Sequence, residues 1–141
     1  MISNTEKETR NIAQKYSKSL KGGEVIGLKG KLGAGKTVFV KGLAKGLGVK
    51  ETITSPTFVL MKVYNTSHKN IKHLVHIDAY RLTNSEDLES IGVYDYFDKK
   101  NVIIIEWPQK IPQIKKFVTN YVDIKFINPK QREIIFKSEK K

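Results

Sequence analysis

The spacing of apolar positions changes several times along the chain, and each change marks an element. From Thr5 to Leu20 apolar residues recur at helical intervals, with Ile12, Tyr16 and Leu20 on one stripe, so this segment reads as a first helix. Thr5 and Glu8 offer a capping box at its start, and Lys21, Gly22 and Gly23 end it. Glu24 to Lys29 (EVIGLK) is a short β-branched run, the pattern of a buried strand. Helical spacing returns from Thr37 to Leu47, where Phe39, Val40, Leu43, Ala44 and Leu47 share a face, and it stops at Gly48.

The second half reads mainly as strands. Phe58 to Tyr64 and Lys72 to Asp78 are strand-like runs joined by the polar segment Asn65 to Asn70, which predicts an antiparallel hairpin and makes the sheet mixed. Thr83 to Ile91 has a capping pattern, Thr83 with Glu86, and closes at Gly92 as a short helix. Val93 to Lys99 is expected to turn and pack Tyr94 or Phe97 inward. Val102 to Ile105 is a buried central strand, broken by Trp107 and Pro108, and Pro112 limits any helix across Gln109 to Phe117. Tyr121 to Ile127 and Glu133 to Lys137 form a terminal hairpin turning at Asn128 and Pro129, followed by a frayed KSEKK tail. At 141 residues this predicts one α/β domain spanning residues 1–141, a mixed β-sheet flanked by helices with a C-terminal antiparallel hairpin.

Between the first strand and the second helix, Gly30 to Thr37 (GKLGAGKT) matches the pattern G-x-x-x-x-G-K-[ST] of a phosphate-binding loop. Gly30, Gly33 and Gly35 let the backbone turn its N–H groups toward a phosphate, and the helix that follows points its positive end there. Leu32, Ala34 and Val38 complete the expected lining. Lys36 reaches the β- and γ-phosphates of a nucleotide, and Thr37 supplies a hydroxyl to Mg²⁺. Such a loop works with a carboxylate at a neighbouring strand end, and two follow strand-like runs: Asp78 and Glu106. Either can ligate the metal while the other positions water. Val49 to Thr57 lacks helical spacing and lies where a nucleotide-sensing switch sits, with Ser55 or Thr57 toward the γ-phosphate; an ordinary polar loop fits the spacing equally well. Tyr80 and Arg81 are candidates for contact with a phosphate or a partner. Trp107 reads as rim packing first, and His68, His73 and His76 as loop or strand residues without metal-ligand spacing.

Composition narrows the classes further. The chain has no cysteine, which excludes disulfides and thiolate metal sites. No apolar run approaches membrane-spanning length and the first residues lack the apolar stretch of a signal peptide, so a cytoplasmic location is expected. The net charge of +12 comes mostly from lysines spread along the chain, a pattern that suits either direct RNA contact or a solvated lysine surface.

LGAGKT, SPTF, HIDAYRL and IEWP, in this order and spacing, resemble the TsaE (YjeE) family of small bacterial P-loop ATPases, from about Thr9 to Pro108. The resemblance implies a role in making N6-threonylcarbamoyladenosine in tRNAs that read codons starting with A. It also implies ATP as substrate, Mg²⁺ as cofactor and the TsaD and TsaB proteins as partners, with tRNA contacted indirectly or transiently. By motif, Lys36 and Thr37 match the phosphate-binding lysine and magnesium-binding threonine, Thr57 the switch threonine and Asp78 the aspartate of the D-x-Y-R segment. Glu106 and Trp107 match a glutamate–tryptophan pair whose glutamate is a metal ligand. The segment around Thr5 resembles the family's adenine-side edge, with Arg132 near the base. Lys31 departs from the family's usual aspartate, Val38 from a threonine and Ala79 from a leucine. The competing readings are a small-metabolite kinase, disfavoured because the only arginines are Arg10, Arg81 and Arg132, and a basic RNA-binding module with a regulatory nucleotide site.

Overall fold

The computed structural model describes residues 1–31, 33–54, 60–80, 82 and 89–139. In chain order the elements are β1 (Ile2–Ser3), α1 (Glu6–Ser17), β2 (Val25–Lys29), α2 (Lys36–Gly46), β3 (Met61–Asn65), β4 (His73–Asp78), β5 (Asn101–Glu106), β6 (Asn120–Asn128) and β7 (Gln131–Ser138). The strands form one sheet in the order β1-β7-β6-β2-β5-β4-β3. Strands β4, β5, β2 and β6 run parallel, and antiparallel strands close both sides, β3 on β4 and β7 on β6. The expected mixed sheet and terminal hairpin are therefore present.

Register divides the core into two. Ile26, Leu28, Leu74, Val102, Ile104, Val122 and Ile124 face α2 and its Phe39, Val40 and Leu43. Val25, Val75, Ile77, Ile103 and Ile105 point to the other face, covered by 3₁₀ turns at Val93–Tyr96 and Pro112–Phe117. A strand buried on both faces must be apolar at every position, which is why Val102 to Ile105 shows no alternation.

Leu20 is buried and Ile12 and Tyr16 pack against the core as expected, but the closest helix contact lies on another line of residues. Helix α1 ends at Ser17, and its most buried positions are Thr9, Ala13 and Ser17 rather than Ile12 and Tyr16. Close approach to α2 is the cause: a Cβ on Gly42 would lie 2.3 Å from the Arg10 carbonyl oxygen, and one on Gly46 would lie 1.8 Å from Ser17 Oγ. Only small residues fit at that crossing. Capping is as expected at Thr5, whose hydroxyl accepts the Glu8 N–H at 3.0 Å, while the Glu8 carboxylate reaches one residue further, to the Asn4 N–H.

Other differences are local. Strand β1 had no sequence signal at two residues; it pairs Ile2 with Glu133 and Ser3 with Arg132. The inward residue of the Val93–Tyr96 turn is Val93, fully buried, while Tyr94 is exposed and Phe97 packs on Phe117. The tail is ordered further than expected, since Lys137 and Ser138 belong to β7 and the Glu139 N–H donates to the Thr119 carbonyl at 2.7 Å. Strand β3 begins within the run expected from Phe58, but Phe58 and Val59 lie outside the described residues, as does most of the helix expected at Thr83 to Ile91.

Candidate functional site

The glycine-rich loop leaves the C-terminal end of the central strand β2 and enters α2 at Lys36. Gly33 and Gly35 take positive φ, 80° and 102°, which a side-chain-bearing residue avoids, and Gly35 is the N-cap of α2. Gly30 is confined instead by space, with the Ile124 carbonyl oxygen 3.0 Å from where a Cβ would sit. The first N–H groups of α2 have no side-chain cap, which leaves this helix end with donors for an anion.

Lys36 is only 6% exposed, and its Nζ donates to the Gly30 carbonyl at 2.5 Å and lies 3.7 Å above the Trp107 ring. Burial lowers the pKa of this ammonium below the ordinary lysine value, with the Glu106 and Asp78 carboxylates acting in the opposite direction. Trp107 is thus more than rim packing. It adopts φ 60°, ends β5, and its ring carries the lysine on one side and meets Tyr80 at 5.1 Å.

Strand register brings the two carboxylates together. Asp78 ends β4 and Glu106 ends β5, and they are direct partners in the parallel ladder on the face that α2 covers. Glu106 is 4% exposed, whereas Asp78 is half-buried and accepts the Tyr80 N–H at 3.0 Å on Oδ1. The reading of the histidines holds for His68 and His73, which bond backbone N–H groups and Asn101. It misses His76. This residue is wholly buried, with Nε2 2.5 Å from Glu106 Oε2. The period of two in HLVHID, which puts His76 on the face of Asp78, was the available signal.

On the other side of the loop, Asn4, Thr5, Thr9, Gly33, Gly35, Val38, Pro129 and Arg132 line a cleft of about 310 Å³. The sequence-predicted Thr5, Val38 and Arg132 therefore do meet beside the loop, although residues from both ends of the chain build the cleft. Arg132 does more than edge it: Nε donates to the Ala34 carbonyl at 2.9 Å and Nη2 to the Gly33 carbonyl at 3.2 Å. Its Nη1 donates to the Asn128 and Gln131 carbonyls at 2.7 and 3.0 Å. Thr37 opens α2, next to Lys36. Leu32, Thr57 and Arg81 lie outside the described residues, as does Ser55.

No helix among the described residues is long and apolar enough to cross a membrane. Comparison with known proteins agrees with the geometry. A family model described as "Threonylcarbamoyl adenosine biosynthesis protein TsaE" matches residues 3–134. The chain is 37% identical over 129 residues to the Bacillus subtilis (strain 168) "tRNA threonylcarbamoyladenosine biosynthesis protein TsaE", covering 92% of this chain and 78% of that one. The Treponema pallidum (strain Nichols) protein of the same name is 38% identical over 133 residues, covering 94% and 96%. Among solved structures, Bacillus subtilis YdiB superposes with a TM-score of 0.76 at 31% identity over 98% of this chain and 83% of that one. A mixed sheet with a glycine-rich loop at the end of its central strand, and a family match across nearly the whole length, make this chain a member of the TsaE family.

Proposed function

We propose that this chain is a Mg²⁺-dependent ATPase that supports formation of N6-threonylcarbamoyladenosine in tRNA, working with the TsaD and TsaB proteins that perform the transfer. The observation that carries the reading is the continuity of the site: a cleft of about 310 Å³ opens onto the loop, and beyond the loop the buried Lys36 lies within the field of two strand-end carboxylates. That layout suits a base in the cleft, phosphates on the loop and a cation at the acids.

The donor set fits magnesium. Thr37 offers a hydroxyl and Glu106 and Asp78 offer carboxylates, all hard oxygen ligands, and no group of three or more His, Cys, Asp or Glu side chains among the described residues forms a complete protein cage. A cation held by few protein oxygens and otherwise by phosphate and water is the habit of Mg²⁺. When bound, it would neutralise charge on the β- and γ-phosphate oxygens.

The chain's own groups have separable tasks. Gly33 and Gly35 bring backbone N–H groups to the phosphates, and Lys36 releases Gly30 and Trp107 to place its charge beside the transferred group. Glu106 and Thr37 would hold the metal, and Asp78 or Thr57 would orient water. Lys36 has a cost of burial that an anion relieves, which favours nucleotide at this position. With no arginine among the described residues aimed at the phosphate position, hydrolysis by the isolated chain is slow, and the partner proteins raise it.

Calorimetry with Mg·ADP, followed by reconstitution of tRNA modification over many turnovers with TsaD, TsaB and a threonylcarbamoyl donor, tests this. The parent chain should bind nucleotide and sustain turnover, and Lys36→Ala should do neither. Absence of nucleotide binding, or equal modification without the chain, would defeat the reading.

A further inference from the structure

We infer that His76 is a positioning residue that holds the Glu106 carboxylate in place and apart from Lys36, an inference that rests on the nucleotide site proposed above. His76 lies inside β4, two residues before Asp78, among Leu74, Ile104 and Val102, where an apolar side chain would complete the core. Its ring is wholly buried and Nε2 is 2.5 Å from Glu106 Oε2, itself on a carboxylate 4% exposed. The other ring nitrogen, Nδ1, is buried without a partner among the described residues. The ring therefore carries its hydrogen on Nε2, donating to the carboxylate, because a buried N–H on Nδ1 would go unpaired.

The geometry has a direct consequence for the acid. Oε2 is engaged by His76, the carboxylate is fixed in rotation, and Oε1 is the oxygen left for a metal or its water. Among the described residues no ion pair links Lys36 to Glu106 or Asp78; Lys36 Nζ rests on the Gly30 carbonyl and the Trp107 ring instead. A buried carboxylate without its own donor would swing toward a neighbouring cation, and Lys36 is close enough to feel the charge of Glu106. His76 keeps the phosphate ligand and the metal ligand from neutralising each other before nucleotide arrives. Donors behind a metal-binding group typically change metal affinity by about 10- to 100-fold when removed.

The test separates metal from nucleotide. Mn²⁺ uptake by the ADP-bound chain is followed by electron paramagnetic resonance, and metal-free ADP binding by Trp107 fluorescence, for the parent, His76→Leu, His76→Gln and His76→Asn. Gln places its amide N–H near the position of Nε2, whereas Asn is too short. His76→Leu should weaken Mn²⁺ binding about 10- to 100-fold with metal-free ADP affinity retained, and His76→Gln should keep most of the parent's metal affinity. Equal Mn²⁺ affinity in the parent and His76→Leu would overturn the inference, as would parallel loss of metal and metal-free ADP binding. If His76→Leu does not fold, the Gln and Asn variants decide: Gln tighter than Asn supports the role, and equality overturns it. A parent chain that binds ADP but takes up no Mn²⁺ overturns both this inference and the metal site it depends on.

Discussion

Arg132→Lys keeps a positive charge on β7 but removes the planar fork that grips the phosphate loop. Arg132 ties Gly33 and Ala34 through two of its donors and the Asn128–Gln131 turn through others. In a planar trans peptide the carbonyl and the following N–H point opposite ways, so drawing the Ala34 carbonyl toward β7 turns the Gly35 N–H away from it, toward the phosphate position. Hydrogen bonds from a charged donor contribute about 1.5–3 kcal/mol each. Arg132 is half-buried, and water competing at such a site leaves about 1–2 kcal/mol for the two loop bonds together. Lysine can remake at most one of them, which leaves a loss of about 0.5–2 kcal/mol, and at 1.4 kcal/mol per tenfold this predicts ADP affinity lower by about 2- to 30-fold. Competition titrations with ADP and with adenosine provide the assay. The loss should appear with ADP and not with adenosine, because the latch acts on the phosphate loop. An equal loss for adenosine would instead put Arg132 on the base, and an unchanged ADP affinity would refute the latch.

Three further outcomes are expected. Gly46→Ala should lower stability by about 1–3 kcal/mol in thermal unfolding, since the added Cβ would fall 1.8 Å from Ser17 Oγ, and Ser17→Gly in the same background should recover much of it; an unchanged midpoint would contradict the packing account. Lys36→Met should abolish measurable ADP binding by calorimetry while the chain stays folded by circular dichroism, and retained binding would exclude Lys36 as a phosphate ligand. Burial pushes the Tyr16 phenol up to about 12 from 10.0, so the folded chain keeps a proton that the unfolded chain releases. This contribution to stability is intact below pH 10.0 and is lost as pH rises toward about 12, so parent stability should fall relative to Tyr16→Phe in that window, and parallel curves would show that the phenol is not linked to folding.

The loop, its flanking strand and helix, and both carboxylates were legible because each rests on local signals. Gly33 and Gly35 of GKLGAGKT take positive φ, a demand that residue type alone announces, and a buried parallel strand shows itself as an uninterrupted apolar run ending at Glu106. Family resemblance added Thr5 and Arg132 to the site, and the fold brings them to one cleft, but as a pocket edge and a loop latch. The Ile12, Tyr16 and Leu20 stripe does pack on the core, but hydrophobicity alone hides the deeper one: Thr9, Ala13 and Ser17 are buried because Gly42 and Gly46 let the helices nearly touch. The period of two sets His76 on the face of Asp78, but which residue of β5 its ring meets depends on the ladder register.

Sequence alone determined the α/β class, the order of the principal elements and the place of the glycine-rich loop between strand and helix, all of which depend on residue type and short spacing. Tertiary structure decided which side chains share a site. Parallel register set Asp78 beside Glu106 and placed His76 behind the latter. Pairing of β1 with β7 brought Ser3 against Arg132, folding the chain's beginning onto its far end beside the loop. Such meetings depend on strand order and register between distant segments, which hydrophobic periodicity within any one segment does not encode.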